Sequence, residues 1–517
     1  MKRLCIALAL SAVAVSSAFA QKDRTFVMAI STDPPGLNSF LTTAASTILV
    51  QRAMYEGLIF IDKDFKPEPA LATEWSSNED ATRYSFKLRQ DAKWHDGAPF
   101  TAADVKFTFE KLVPLSPTAS AFGRLMKSVT TPDDYTVEVE FSQPYAPFIE
   151  ALSGLPVLPK HVFENGDIPS NPANMAPIGT GPFKFVSYKS GDSVIVERDD
   201  NYRGPKPEVD RIVFKVLPDV NSRLLALRTG EIDFIANTDS DKRFYTQFKD
   251  NPNFGLLPDL GSPQTLTLFA NTRTGPLADP KVRRAVYQAI DREAISEKAY
   301  YGYAVPAKGP IPSSIAWAQG ADVNFAEQLP YDPEAANKML DEAGFPKDAN
   351  GRRFTLRIAM PSPYSSVVQA AGVVASNLSD VGITVEQQAL DFTVWTERTF
   401  KAHDFDLSMS YFTSFEDPSM GVARMYVCNP ENVVYRNPTG FCTPEIDEAF
   451  RGAMQSSDRA VRAEHFVRAA KLIQETLGTM PLVEEDQFNI GRVDRWDMGR
   501  FQDLHPYDWS ALGAIKK

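Results

Sequence analysis

Residues 84–112 read YSFKLRQDAKWHDGAPFTAADVKFTFEKL, and the fold is read outward from them. Tyr84, Phe86 and Leu88 alternate with Ser85, Lys87 and Arg89, the period-two pattern of a half-buried strand. Trp94-His95-Asp96-Gly97 with Pro99 is turn chemistry. Thr101, three residues before Asp104, predicts a capping box with Asp in place of Glu, and Ala102, Val105, Phe109 and Leu112 follow on one helical face. The stretch is a strand, a tight turn and a capped amphipathic helix. His95 beside Asp96 could form half of a catalytic pair, but adjacent strand residues point to opposite faces and no nucleophile motif accompanies them. A structural turn is the expectation.

The flanking chain alternates strand and helix signals. Residues 26–30 alternate as a strand, 33–38 form a turn, and 47–57 read as a helix with Gly57 at its C-cap. Gly179-Thr180-Gly181-Pro182-Phe183 lacks the Lys-Ser/Thr and the following helix of a phosphate loop, so a close-packed turn is expected. A hairpin follows, turning at 189–192. The strand at 212–216, helix at 221–228, stop at Gly230 and strand at 232–235 predict a parallel pair with a right-handed crossover. Asp279-Pro280 starts a helix whose apolar face is Val282, Ala285, Val286, Ala289 and Ile290, with Arg283 and Arg284 on a solvated face. A second strand-helix-strand unit spans 354–387. The last long helix, 458–477, carries Val461, Phe466, Ala469, Ile473 and Leu477 as its buried stripe. Two such units far apart in sequence predict two α/β lobes.

Residues 1–20 read as a secretory signal: Lys2 and Arg3, an apolar run, then Ala18-Phe19-Ala20, with a mature start at Gln21. Cys5 precedes the apolar run and cannot serve as a lipoprotein's acylated cysteine. Removing Lys2 and Arg3 takes the formal charge from -12 to -14, a balance that argues against nucleic acid. Cys428 and Cys442 are then the remaining cysteines; their spacing suits a local disulfide in an oxidising compartment, roughly 3 kcal/mol on the chain-entropy reading. The alternative, a metal site, has no neighbouring ligands. The five histidines, His95, His161, His403, His465 and His505, show no metal-ligand spacing. No G-x-S-x-G, H-E-x-x-H, P-loop or EF-hand pattern is present. A secreted hydrolase with two remote carboxylates is the distant alternative.

The block Trp94-His95-Asp96-Gly97-Ala98-Pro99-Phe100-Thr101-Ala102-Ala103-Asp104-Val105 resembles the "W-x-D-G-x-P-[FL]-[TS]-A-x-D-V" signature of the peptide/opine/nickel family of ABC-importer solute-binding proteins. Tyr55-Glu56-Gly57-Leu58, the GTGPF string at 179–183 and DPKVRRAVYQAIDR at 279–292 are similar to further hallmarks of that family. The resemblance implies a two-lobe α/β periplasmic binding protein (type II, cluster C) with an extra subdomain: lobe I at 21–66, the subdomain at 67–178, lobe I again at 179–270, lobe II at 271–481, and a return to lobe I at 482–517. It implies hinge crossings near Asn271 and Pro481. The implied function is capture of a small solute between the lobes and delivery to an inner-membrane ABC permease and its ATPase, by a monomer with no cofactor, no metal and no catalysis. A chemosensory or chaperone module needs the same closed form and is the alternative.

For the site, the resemblance points to the ligand-facing loop with Asn38, Phe40 and Thr42, and to Tyr411, Phe412, Thr413, Ser414, Phe415 and Asp417. Peptide-binding members read roughly "W-x-x-D-x-x-[DE]-P" there. Asp417-Pro418 matches its end and Tyr411 takes the aromatic position, while the Asp that holds a peptide's α-amino group falls on Ser414. The helix at 365–378 also lacks the arginine that dipeptide binders give to the ligand carboxylate. These departures imply an opine, a sugar-containing conjugate or a peptide held through its backbone, unless Glu416 or Asp391 serves the amine.

Overall fold

The computed structural model describes residues 24–514 apart from 237–241, 259–262, 486, 500, 502–503 and 506–507. The signal segment and Cys5 lie outside the described residues. Two large sheets organise the chain. The first has seven strands in the order Phe254–Pro258, Phe488–Arg492, Phe234–Ile235, Thr25–Ile30, Arg211–Val216, Ser193–Arg198 and Phe183–Lys189. The second has six, in the order Ala304–Pro306, Thr479–Glu485, Gln264–Ala270, Leu407–Thr413, Phe354–Pro361 and Ile383–Leu390. Each sheet mixes parallel and antiparallel pairs, and the result is a pair of α/β lobes.

The first strand-helix-strand unit forms with one change. Arg211–Val216 and Phe234–Ile235 both run parallel to Thr25–Ile30, which lies between them. The expected direct pair is therefore split by the N-terminal strand, whose Phe26, Met28 and Ile30 are buried. In the second unit Phe354–Pro361 and Ile383–Leu390 pair directly and in parallel, across the helix Ser365–Asp380 and Gly382 at φ 86°. Gln264–Ala270 pairs with Leu407–Thr413 and Thr479–Glu485. The chain thus leaves the first sheet after Pro258 and enters the second by Gln264, rather than near Asn271. It leaves the second after Glu485, rather than near Pro481, and rejoins the first at Phe488. The two crossings lie side by side because Pro258 pairs with Phe488 and Gln264 with Glu485.

The block at 84–112 sits in a separate four-stranded antiparallel sheet, Ala72–Ser77, Arg83–Leu88, Thr136–Phe141 and Met126–Asp133. Tyr84, Phe86 and Leu88 point inward as expected. The Asp104 carboxylate accepts from the Thr101 N–H at 2.9 Å and closes the capping box. Ala102, Val105, Phe109 and Leu112 are buried. The helix differs in its second half: Ala102–Phe107 is α and Thr108–Leu112 is a π turn. The Thr108 hydroxyl there accepts from the Leu158 N–H at 3.1 Å, a side-chain anchor of the kind that accompanies such bulges.

Three of the hallmark strings meet at one junction. The His95 N–H donates to the Gly179 carbonyl at 2.9 Å and the Gly179 N–H donates to His95 Nδ1 at 3.1 Å, so the ring proton lies on Nε2 and donates to the Gly181 carbonyl at 2.9 Å. Gly181 N–H donates to the Met54 carbonyl at 2.8 Å. A Cβ at Gly179 would lie 1.9 Å from that same oxygen, which explains the GTGPF glycine as a close backbone approach rather than a ligand cradle. Glu56 forms a bidentate pair with Arg203, both contacts at 2.7 Å and both side chains buried. Gly57 is not a helix cap: the helix ends at Gln51, and a Cβ at Gly57 would meet the Leu155 carbonyl at 2.6 Å. His95 and Asp96 are structural, Asp96 pairing with His161 at 2.7 Å.

The His95 ring carries a pH prediction. Burial pushes its pKa below the ordinary 6.5. Above 6.5 neither the folded nor the unfolded chain protonates it, so its contribution is complete. Between 6.5 and the lowered folded value the unfolded chain binds a proton that the folded one refuses, and stability falls as pH falls. Melting from about pH 7.5 to about pH 5.5 should therefore cost the wild type more than His95→Gln; equal losses would contradict the assignment.

Two arginines depart from the sequence reading. Arg283 is buried, not solvated, donating to the carbonyls of Thr476, Leu277 and Ala278 at 2.8–3.0 Å. In the helix Arg459–Thr476, Val461 is exposed and Arg462 takes the buried place. Apolar periodicity does not register a buried cation. Cys428 and Cys442 form a disulfide with Cα atoms 4.8 Å apart.

Candidate ligand cleft between the lobes

Strands Phe354–Pro361, Ile383–Leu390 and Leu407–Thr413 run parallel in the second sheet, so their carboxyl ends and following loops share one edge. Ligands of open α/β sheets bind beyond such ends. Tyr364, Asp391 and the loop 414–417 sit there. Along Leu407–Thr413 the side chains alternate. Phe412 packs into the lobe against Phe269 and Phe400, with centroids 5.2 and 6.5 Å away. Tyr411 turns to the other face, its ring tilted against Tyr364 at 4.6 Å, and Tyr364 meets Phe392 at 5.9 Å. Burial holds the Tyr411 hydroxyl well above the usual phenol range, with Tyr364 and the Glu485 charge adding to it. The edge therefore offers aromatic rings and the neutral Tyr411 hydroxyl.

The remaining expected site residues divide. Thr413 is half-buried at the strand end, opposite Gln264. Ser414 is buried, its N–H donating to the Pro263 carbonyl at 2.9 Å. Phe415 has φ 54°, a left-handed backbone that few bulky residues adopt. Asp417 is fully enclosed, its Oδ2 on Arg462 Nη2 at 2.5 Å and its Oδ1 accepting from the Ser419 N–H at 2.8 Å. On the first lobe, Asn38 donates to Asn174 Oδ1 at 2.8 Å and accepts from the Phe40 N–H at 3.0 Å, and Phe40 is in the core. Both are committed to their own lobe. Thr42 is half-buried, its hydroxyl accepting from the Ala44 N–H at 3.1 Å. Asp391 caps the helix Phe392–Glu397 through the Thr393 N–H.

Charges that the sequence reading missed link the subdomain region to the second lobe. Glu150, on the short helix Phe148–Ala151 after the four-stranded sheet, accepts from Arg459 Nη2 at 2.9 Å, and Arg459 also donates to the Phe65 carbonyl at 2.8 Å. Burial raises the Glu150 carboxyl, and the neighbouring Asp417 charge raises it further. Arg462 lies against the rings of Trp317 and Phe466 at 5.2 and 5.8 Å. At the crossings, Lys242 of the first lobe meets Glu485 at 2.6 Å, both side chains almost wholly buried. The Tyr245 hydroxyl donates to the Phe488 carbonyl at 3.1 Å, and the Tyr245 ring meets Tyr303 at 5.4 Å. Among the described residues no group of three or more His, Cys, Asp or Glu could hold a metal ion, and no helix is long and apolar enough to cross a membrane.

This architecture is matched by known proteins. The family model for bacterial extracellular solute-binding proteins, family 5, covers residues 66–432. A Brucella ovis protein named as an ABC transporter peptide-binding protein is 31% identical over 92% of this chain and 91% of its own length. The glutathione-binding protein of Pectobacterium atrosepticum is 27% identical over 87% and 86%. The structure of AgaA from Agrobacterium tumefaciens, in complex with agropinic acid, superposes with a TM-score of 0.68 at 26% identity, covering 91% of this chain and 93% of that one. The chain belongs to the family 5 bacterial extracellular solute-binding proteins and is the solute-binding component of an ABC importer. Proteins of this family are transport components, not enzymes.

Proposed function

We propose that the chain, exported to the periplasm through a cleaved signal at 1–20 and not lipid-anchored, captures a small organic solute at the cleft edge and hands it as a monomer to an inner-membrane permease and its ATPase, without chemical turnover. The observation that carries this reading is the meeting of three parallel strand ends, followed by Tyr364, by Asp391 and by loop 414–417 after Tyr411, beside chain crossings paired closely enough to act as a hinge. A ligand that touches both lobes when closed shifts the open-closed balance by its differential affinity. Thr42, Tyr411, Thr413 and Phe415 are the contact residues under this reading, and Asp417 supports the loop through Arg462.

The solute is opine-like, a sugar conjugate or a peptide held by its backbone. Ser414 supplies no carboxylate for an α-ammonium group, and an unpaired charge taken out of water costs several kcal/mol. Simple dipeptides should bind weakly, and Ser414→Asp should improve binding of free-amine peptides about tenfold or more. Calorimetry with alanyl-alanine on both proteins tests this. Micromolar binding by the wild type, lost when the amine is blocked, would overturn it.

A further inference from the structure

The turn that returns from loop 414–417 carries Arg424, and its head lies at the carboxyl end of strand Leu407–Thr413. Arg424 Nη2 donates to the Thr413 carbonyl at 3.4 Å and Nε to the Gly421 carbonyl at 3.1 Å. Its Cζ lies over the Phe415 ring at 5.2 Å. Gly421 makes this placement possible: a Cβ there would come within 2.4 Å of the Ser414 carbonyl carbon and oxygen, pushing the turn off the loop. A guanidinium has five N–H donors, and two are used in these bonds. Among the described residues no carboxylate lies within ion-pair distance of it. Burial lowers its pKa.

The other enclosed arginines are provided for. Arg203 and Arg462 have carboxylates, and Arg283 spends its donors on three carbonyls. Arg273 also lacks an acidic neighbour, but it follows Ala270, which pairs with Leu407 at the far end of the strand. Arg424 is thus a desolvated cation at the cleft edge with no acidic partner among the described residues. Ser414 adds no carboxylate to this edge.

Resting on the cleft reading above, we infer that the Arg424 guanidinium receives a carboxylate of the captured solute, so that the ligand class is an organic acid lacking a recognised free amine. Charge-assisted bonds to a preorganised arginine contribute strongly to such recognition.

Calorimetry with four probes tests this: N-acetyl-alanyl-alanine, its C-terminal amide, glutathione and agropinic acid. At least one of the three acids should bind the wild type, and the amide should bind more weakly than N-acetyl-alanyl-alanine. Arg424→Gln should weaken acid binding about 10- to 100-fold, Arg424→Lys should restore part of it, and amide binding should stay within about twofold. Unliganded melting checks that the variants fold, and the wild-type acid-amide comparison needs no variant. Acid binding that survives Arg424→Gln in a folded protein, an amide that equals its acid, or no acid binding at all would each overturn the inference. The solute-capture reading stands in every one of those cases if another solute shifts the melting of the wild type.

Discussion

Arg462→Met should destabilise the protein by about 3–5 kcal/mol. The Asp417 carboxylate is completely enclosed and spends one oxygen on this guanidinium. Removing the cation leaves the charge without a counter-charge or solvent, with the nearby Glu150 carboxyl adding repulsion. Methionine keeps much of the packing against Trp317 and Phe466, so the loss is mainly electrostatic. The pair is expensive to break and cheap to replace. Arg462→Met combined with Asp417→Leu should recover most of the loss, because neither charge then remains buried. Thermal and urea unfolding of the two single variants and the double variant would measure it. Additive losses would contradict the account and place Asp417 in contact with solvent.

Lys242→Met should cost a similar amount, about 3–5 kcal/mol, on the same grounds. Lys242 belongs to the first lobe, whereas Glu485 is the last residue of a strand in the second sheet and lies three residues before Phe488 rejoins the first. The pair therefore anchors the crossings. Its loss should loosen the backbone pairing of Pro258 with Phe488 and Gln264 with Glu485, which hydrogen exchange would register as faster opening of those amides than of the sheet centres. A loss below about 1 kcal/mol would mean that the pair behaves as a solvated surface bridge.

What the sequence made legible, and what it did not, follows from the kinds of signal it carries. Tyr84, Phe86 and Leu88 were readable as an inward face because period-two alternation reports burial directly. The Thr101–Asp104 box was readable because capping is local chemistry. Gly57 misled because a glycine required by a close backbone approach looks the same in sequence as a helix cap. Thr25–Ile30 slipping between the strands of the first unit is a non-local pairing, invisible to local periodicity. Arg283 and Arg462 were missed because a buried cation depends on partners far along the chain, Thr476 for one and Asp417 for the other. At the cleft, loop 411–417 could be located by pattern, and the departure at Ser414 could be seen. Arg424 carried no signal at all: its meaning comes from having no acidic partner among the described residues.

Solute capture at the cleft is tested directly by a melting screen of the purified protein against a broad panel of organic acids, peptides, opines and sugar conjugates. A true ligand at about 100 times its dissociation constant should stabilise the fold by about 2.7 kcal/mol, raising the melting temperature by about a few degrees. A panel of this breadth that leaves the melting temperature unmoved throughout would contradict it.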